Sequence, residues 1–258
     1  RVLHQIGQTG IPVVNCANAC ATGATAFREG WMSIKAGVYD TVLAVGVEKM
    51  GGGLLGGGGG GGGIPKEGLL GSMTMPAVFA EAGQEHARKY GTTFEQFAKV
   101  SVKNHHHSTL NPKAMYQIET PLETVMGAEM IAYPNTKLMC SVNVDGSAAA
   151  VPMSERKVKE LGLMRRAVRV KASVLTSDPW QERGLVMADV NTCARLAAKK
   201  AYEVAGCSAK DINLVELHDC FATAELVHYD NLMLCEEGGA VDFFESGSTW
   251  RDGSTPVN

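Results

Sequence analysis

The sequence predicts an α/β protein built from two strand, turn and helix halves, with a mostly helical segment inserted between them. Three observations lead there. Two nearly continuous apolar runs, Gly10-Ile11-Pro12-Val13-Val14-Asn15 and Asp40-Thr41-Val42-Leu43-Ala44-Val45-Gly46-Val47, flank a segment of helical periodicity. The same alternation of strand and helix recurs after Ala167. Each half also places a cysteine, Cys20 or Cys220, at a strand-to-helix junction, where side chains reach the carboxyl edge of a parallel sheet.

In chain order, Gly10 to Asn15 reads as a buried strand. Apolar residues at Ala24, Phe27, Trp31 and Ile34 follow at helical spacing, and Gly37 stands where a left-handed C′ residue would end that helix. Asp40 to Val47 reads as a strand covered on both faces. From Ile64 to about Pro134 the texture turns rich in Met, His, Lys and Gln, with helices expected over Pro76 to Tyr90 and around Thr93 to Asn104. Leu138 to Val144 resumes a strand, and Asp145-Gly146-Ser147-Ala148-Ala149-Ala150-Val151 is small enough for close backbone packing. The second half runs from the strand Val168 to Ala172 to a helix with Val190, Cys193, Ala194, Ala197, Ala201 and Val204 on one face before Gly206. The strand Ile212 to Leu217 then delivers His218-Asp219-Cys220-Phe221, and a helix from Ala222 to Leu234 follows. The domain expectation is an N-terminal half over 1–63, an inserted subdomain over 64–137, a return to the N-terminal half over 138–166 and a C-terminal half over 167–258.

With 45% hydrophobic and 20% charged residues, the 258-residue chain has material for a sizeable core. Its formal charge of -3 is interspersed, so the basic stripe of a nucleic-acid binder is missing, and no apolar stretch approaches a membrane span. Seven cysteines without zinc-knuckle spacing, in a chain too large to need staples, predict reduced thiols and a cytoplasmic location. The glycines of Gly51–Gly53 and Gly56–Gly63 fit no packed element. They read as a mobile surface loop or as stand-in residues between ordinary folded flanks, and no site is placed there.

Chemistry concentrates at two places. Cys20 sits among small residues where a helix begins, and the partial positive charge of a helix N-terminus favours the nucleophilic thiolate; the alternative is a small buried apolar residue. His218 and Cys220 lie two apart just after a strand. A histidine that donates to a carbonyl oxygen and a cysteine that moves a proton would together serve carbon-acid chemistry beside a thioester, the alternative being a satisfied histidine and a packed cysteine. His105-His106-His107 invites a metal, yet consecutive residues of a helix cannot converge on one ion, and no metal is expected. Cys16, Cys140, Cys193, Cys207 and Cys235 are read as structural.

Asn18-Ala19-Cys20-Ala21-Thr22-Gly23 resembles the nucleophile motif of thiolases, and His218-Asp219-Cys220-Phe221 resembles the HDCF motif of the sterol-carrier-protein type of thiolase. Val47-Glu48-Lys49-Met50, Glu85 to Thr92, Lys103 to Ser108 and Val144 to Ala149 are similar to the same family in the same order, so the resemblance covers nearly the whole chain. It implies the thiolase fold, two βαβ-type halves forming a layered α/β/α/β/α core with an inserted helical loop subdomain. It implies three catalytic residues: Cys20 as acyl carrier, His218 in an oxyanion hole for the thioester enolate, and Cys220 as the proton-exchanging group. The implied reaction is thiolytic cleavage of a 3-oxoacyl-CoA, with coenzyme A as co-substrate and no permanently bound cofactor. The family's glycine-histidine-proline motif, whose histidine activates the nucleophile, does not occur among these residues, so the resemblance places it, and further family sequence, beyond the ends of the chain.

The texture of Gly7 to Pro12 and of Gly68-Leu69-Leu70-Gly71-Ser72 is similar to bacterial thiolases acting on bulky aromatic or steroid acyl-CoAs, some of which work with a separate OB-fold and zinc-ribbon subunit. A homodimer or higher oligomer, paired along Gly10 to Asn18, is also implied. Two rivals stand beside thiolysis. A thiolase-like retro-aldolase would cleave a 3-hydroxyacyl-CoA, although such homologues change the motif positions that this chain keeps as Cys20, His218 and Cys220. A non-catalytic acyl-CoA or lipid carrier would bind without turnover.

Overall fold

The computed structural model describes residues 2–5, 7, 10–50, 75–177 and 191–258. The Gly51–Gly63 run, the 68–72 stretch, Gln8, Thr9 and Val190 lie outside the described residues. In chain order the elements are α1 (Val2–Gln5), α2 (Thr22–Lys35), β1 (Ala44–Glu48), α3 (Met75–Tyr90), α4 (Phe94–Thr109), α5 (Leu122–Gly127), β2 (Met130–Ala132), β3 (Asn135–Thr136), β4 (Gly146–Ala150), α6 (Glu155–Glu160), α7 (Asn191–Ala205), α8 (Ala222–Asn231) and α9 (Ala240–Glu245). The chain divides into two units, 1–49 with 145–175, and 50–144 with 176–258. This grouping differs from the expected one by placing the inserted helices with the C-terminal half, because α3 and α4 pack on α8.

In the first unit α2 ends as its sequence requires. Gly37 takes φ +73°, its N–H reaches Ile34 O at 3.0 Å, and Val38 N–H reaches Ser33 O at 3.0 Å, so the last carbonyls of the helix are satisfied. The helix lies close on β1 through small residues: a Cβ at Gly46 would stand 3.7 Å from Gly23 Cα, and one at Gly30 would stand 2.9 Å from Val42 Cγ1. β1 pairs antiparallel with β4, with Ala44 opposite Ala150 and Glu48 opposite Gly146. Beyond the sheet, Val42 N–H donates to Pro152 O at 3.0 Å and Ser154 Oγ donates to Asp40 Oδ1 at 2.6 Å. Two expectations need correcting. Of β1 only Ala44 is buried, so this strand is not covered on both faces, and residues 10–15 form no ladder, with Val13 and Val14 exposed.

The second unit is organised around α8, which packs against α3, α4, α7 and α9. Nearly all of α8 is buried. Its apolar neighbours include Phe97, Val100, Val125 and Phe244, around its own Leu226 and Tyr229. At the start of α4, Thr93 Oγ1 accepts from Gln96 N–H while Gln96 Oε1 accepts from Thr93 N–H at 2.8 Å, a reciprocal cap that sets the helix start. The expected strand 138–144 is instead a 3-10 turn over Lys137–Met139 followed by a single bridge between Cys140 and Phe221. The expected strand 212–217 forms one parallel bridge, Val215 with Val257, and in the first unit residues 168–172 form no ladder. Among the described residues the two ladders are antiparallel, and the Val215–Val257 bridge is parallel.

Candidate functional site

Cys20 occupies the middle of the 3-10 turn Ala19–Ala21, which runs directly into α2. The turn is tightly laced. Ala21 N–H donates to Asn18 O at 2.9 Å, Asn18 N–H to Thr22 Oγ1 at 2.8 Å, and Thr22 Oγ1 to Ala19 O at 2.8 Å. Asn18 Nδ2 donates to Thr25 Oγ1 at 3.0 Å, which in turn donates to Ala21 O at 2.9 Å. These bonds hold Ala19 at φ +44°, a left-handed conformation that costs a residue with a Cβ about 1–2 kcal/mol. Strain of this kind, stored one residue before a thiol, aims a side chain out of the turn, and Cys20 is exposed.

His218 and Cys220 belong to the second unit. His218 is exposed, whereas Cys220 is buried beside Phe221 and Ala224, with Met75, Phe79 and Cys140 packed on them. The main chain of the motif is pinned on both sides: Leu217 N–H donates to Asn258 Oδ1 at 2.8 Å, and Cys220 O accepts from Ser141 N–H at 3.0 Å. The helix that the motif feeds, α8, starts with Ala224 N–H on Phe221 O at 2.9 Å.

Behind the motif lies a polar cluster that sequence reasoning did not single out. Lys103 and Glu225, both fully buried, form an ion pair. Lys103 Nζ also donates to Val257 O at 2.7 Å. Glu225 accepts in addition from Tyr229 OH at 2.5 Å and Asn104 Nδ2 at 2.5 Å, and the same Asn104 nitrogen reaches Asp219 Oδ2 at 3.0 Å. The signal was present in α4, where Lys103 falls on the stripe that buries Phe97 and Val100. Burial first, then the charge of Glu225, pushes the Asp219 carboxyl up to about 6. Burial, then the charge of His218, pushes the His228 imidazole down to about 4. Asp219 and Asn104 line a cleft of about 210 Å³ with His105, Tyr116, Cys140 and Met115. Burial raises the Cys140 thiol to about 11, so it is a poor nucleophile at neutral pH.

The three consecutive histidines take three separate partners. His105 Nε2 faces Leu138 O at 3.3 Å, His106 Nδ1 faces Glu119 Oε1 at 2.7 Å, and His107 Nδ1 faces Asn258 O at 2.8 Å. Among the described residues no cluster of His, Cys, Asp and Glu has the grouping of a metal site, and no helix is long and apolar enough to cross a membrane. No disulfide joins any of the seven cysteines.

A thiol presented on a strained turn at a helix start, in an α/β chain, is an arrangement fitted to acyl transfer. Residues 181–258 match the family described as thiolase C-terminal domain-like. Sterol carrier protein 2 of Homo sapiens is 38% identical over 270 residues, covering 100% of this chain and 49% of that protein, so the chain spans about half the length of such relatives. An acetyl-CoA acetyltransferase of Methanothermobacter thermautotrophicus is 34% identical over 263 residues, covering 100% of this chain and 67% of that protein. The solved Ltp2-ChsH2(DUF35) aldolase superposes with a TM-score of 0.77 at 21% identity, over 100% of this chain and 68% of that one. The chain belongs to the thiolase superfamily, to its sterol carrier protein 2 type, and has the α/β thiolase fold.

Proposed function

We propose that the protein cleaves a 3-oxoacyl-CoA with coenzyme A through an acyl-enzyme on Cys20. The observation that carries this reading is the exposed Cys20 thiol on the Ala19 turn at the head of α2. The Cys20 thiolate adds to the 3-keto carbon, and the bond between C2 and C3 breaks, with its electron pair leaving on the acetyl-CoA enolate. His218 donates a hydrogen bond to the enolate oxygen, and Cys220 delivers the proton to its carbon. The thiol of free coenzyme A then gives its proton back to Cys220 and takes the acyl group, which leaves Cys20 as the thiolate again. Coenzyme A is a co-substrate here rather than a resident cofactor.

The test is CoA-dependent release of acetyl-CoA by the full-length protein across 3-oxoacyl-CoAs ranging from short chains to bulky aromatic and steroid side chains. Cys20→Ser abolishes it on this reading. Activity surviving that substitution overturns it. A retro-aldolase reading draws on the likeness to the Ltp2-ChsH2(DUF35) aldolase, and it brings with it a separate partner subunit. That reading expects CoA-independent scission of a 3-hydroxyacyl-CoA, undiminished in Cys20→Ser. A carrier expects binding without either product. A cytoplasmic location is proposed from the reduced thiols.

A further inference from the structure

A fully buried ion pair is a costly way to fill a core, since apolar residues of similar volume often stabilise a fold as well or better. The Lys103–Glu225 pair is nevertheless completely withdrawn from water, and each charge has further partners: Val257 O for the lysine, Tyr229 and Asn104 for the glutamate. These contacts join four segments at one point, namely α4, the 218–221 motif, α8 and residues 256–258. One link to the motif is an amide. Asn104 Nδ2 bridges Glu225 Oε2 and Asp219 Oδ2, and Asp219 is the residue between His218 and Cys220. With Leu217 N–H held by Asn258 and Cys220 O held by Ser141, the Asp219 side chain is the third fixed point of that short stretch.

We propose that the buried Lys103–Glu225 pair, acting through Asn104 on Asp219, is a positioning device that keeps His218 and Cys220 in one orientation. Lys103, Asn104 and Glu225 are positioning residues, and none of them is asked to touch substrate. The proposal rests on the reading of His218 and Cys220 as the pair that handles the enolate. It explains why charges are kept in a place where packing alone would favour methionine or leucine.

Two variants of the full-length protein test it: Lys103→Met with Glu225→Met, which removes both charges together, and Asn104→Leu, which cuts the bridge and leaves the ion pair. Displacement of a reacting group by about 1 Å costs on the order of 100-fold, so both variants should lose about 10- to 100-fold in kcat and in deuterium exchange at the acetyl-CoA methyl. KM and the stoichiometry of Cys20 acylation should stay unchanged. Normal exchange in either folded variant overturns the proposal. Loss of the fold in both assigns the cluster to stability alone and overturns it equally. If the unaltered protein shows neither cleavage nor exchange, the functional reading fails first. The positioning is then read from the His218 ring by nuclear magnetic resonance, where a signal that neither variant shifts or broadens overturns it.

Discussion

Ala19 and Cys20 show how one backbone angle prepares a side chain for chemistry. At φ +44° a β-branched residue clashes with its own carbonyl, so Ala19→Val is expected to lower stability by about 1–2 kcal/mol or flatten the turn. Thermal melting with iodoacetamide kinetics at Cys20 distinguishes a strained turn from a relaxed one; unchanged values for both would remove the strain argument. In the intact protein near pH 8, Cys20 should be alkylated well before Cys140 and Cys235, whose thiols burial pushes up to about 11 and about 12. Mass mapping of the labelled peptides gives the order. Asp219 yields a pH prediction. Its carboxyl rises from 3.8 to about 6 in the fold, so it binds its proton more tightly folded than unfolded; the stability it contributes is whole below pH 3.8 and lost as pH rises to 6. His228 falls from 6.5 to about 4, and its contribution is whole above pH 6.5 and lost as pH falls to 4. The two slopes oppose each other between about pH 4 and 6. Asp219→Asn should therefore be more stable than the parent near neutrality, by on the order of 2 kcal/mol, and lose stability more steeply on acidification. Urea midpoints at several pH values read this directly, and parallel curves for both proteins would show Asp219 to titrate normally.

At the level of elements, α3 and α8 cross where Gly83 meets Thr223. A Cβ at Gly83 would stand 2.6 Å from Thr223 Cγ2, and Thr223 cannot yield easily because it is fully buried and its Oγ1 donates to Phe79 O at 3.0 Å. Helix propensity alone says that Gly83→Ala gains about 1 kcal/mol, whereas overpacking costs about 1–3 kcal/mol. The expectation is a net loss, seen as a lowered melting temperature; a gain would mean that the crossing is looser than described. The same contrast between local and tertiary information explains what could be read in advance. The helices α2, α3 and α4 were legible because periodicity, Gly37 and Thr93 are local signals. Runs such as 10–15, 168–172 and 212–217 read as strands yet form no ladder among the described residues, since alternation says nothing of which distant chain accepts a strand's hydrogen bonds. Cys20, His218 and Cys220 stood out by their settings. Glu225 did not, because a glutamate in a helix reads as a solvated face until Lys103, far away in the sequence, is seen against it.

For the whole molecule, the first unit leaves Val13, Val14, Val47 and Val168 between 59% and 90% exposed, apolar side chains that a second copy would cover. We expect the full-length protein to sediment as a dimer or larger species and to bind little hydrophobic dye. A stable monomer that binds none would show the surface to be covered without a second copy. The sheet that carries part of this surface has another consequence. With Glu48 opposite Gly146, its ladder closes only around the whole of residues 49–145, a loop whose closure entropy is about 4 kcal/mol. A ribosome making this chain releases β1 long before its partner strand exists. Through that interval the strand is an open edge, and the order of synthesis, not the native contacts, decides how long a chaperone would have to shield it.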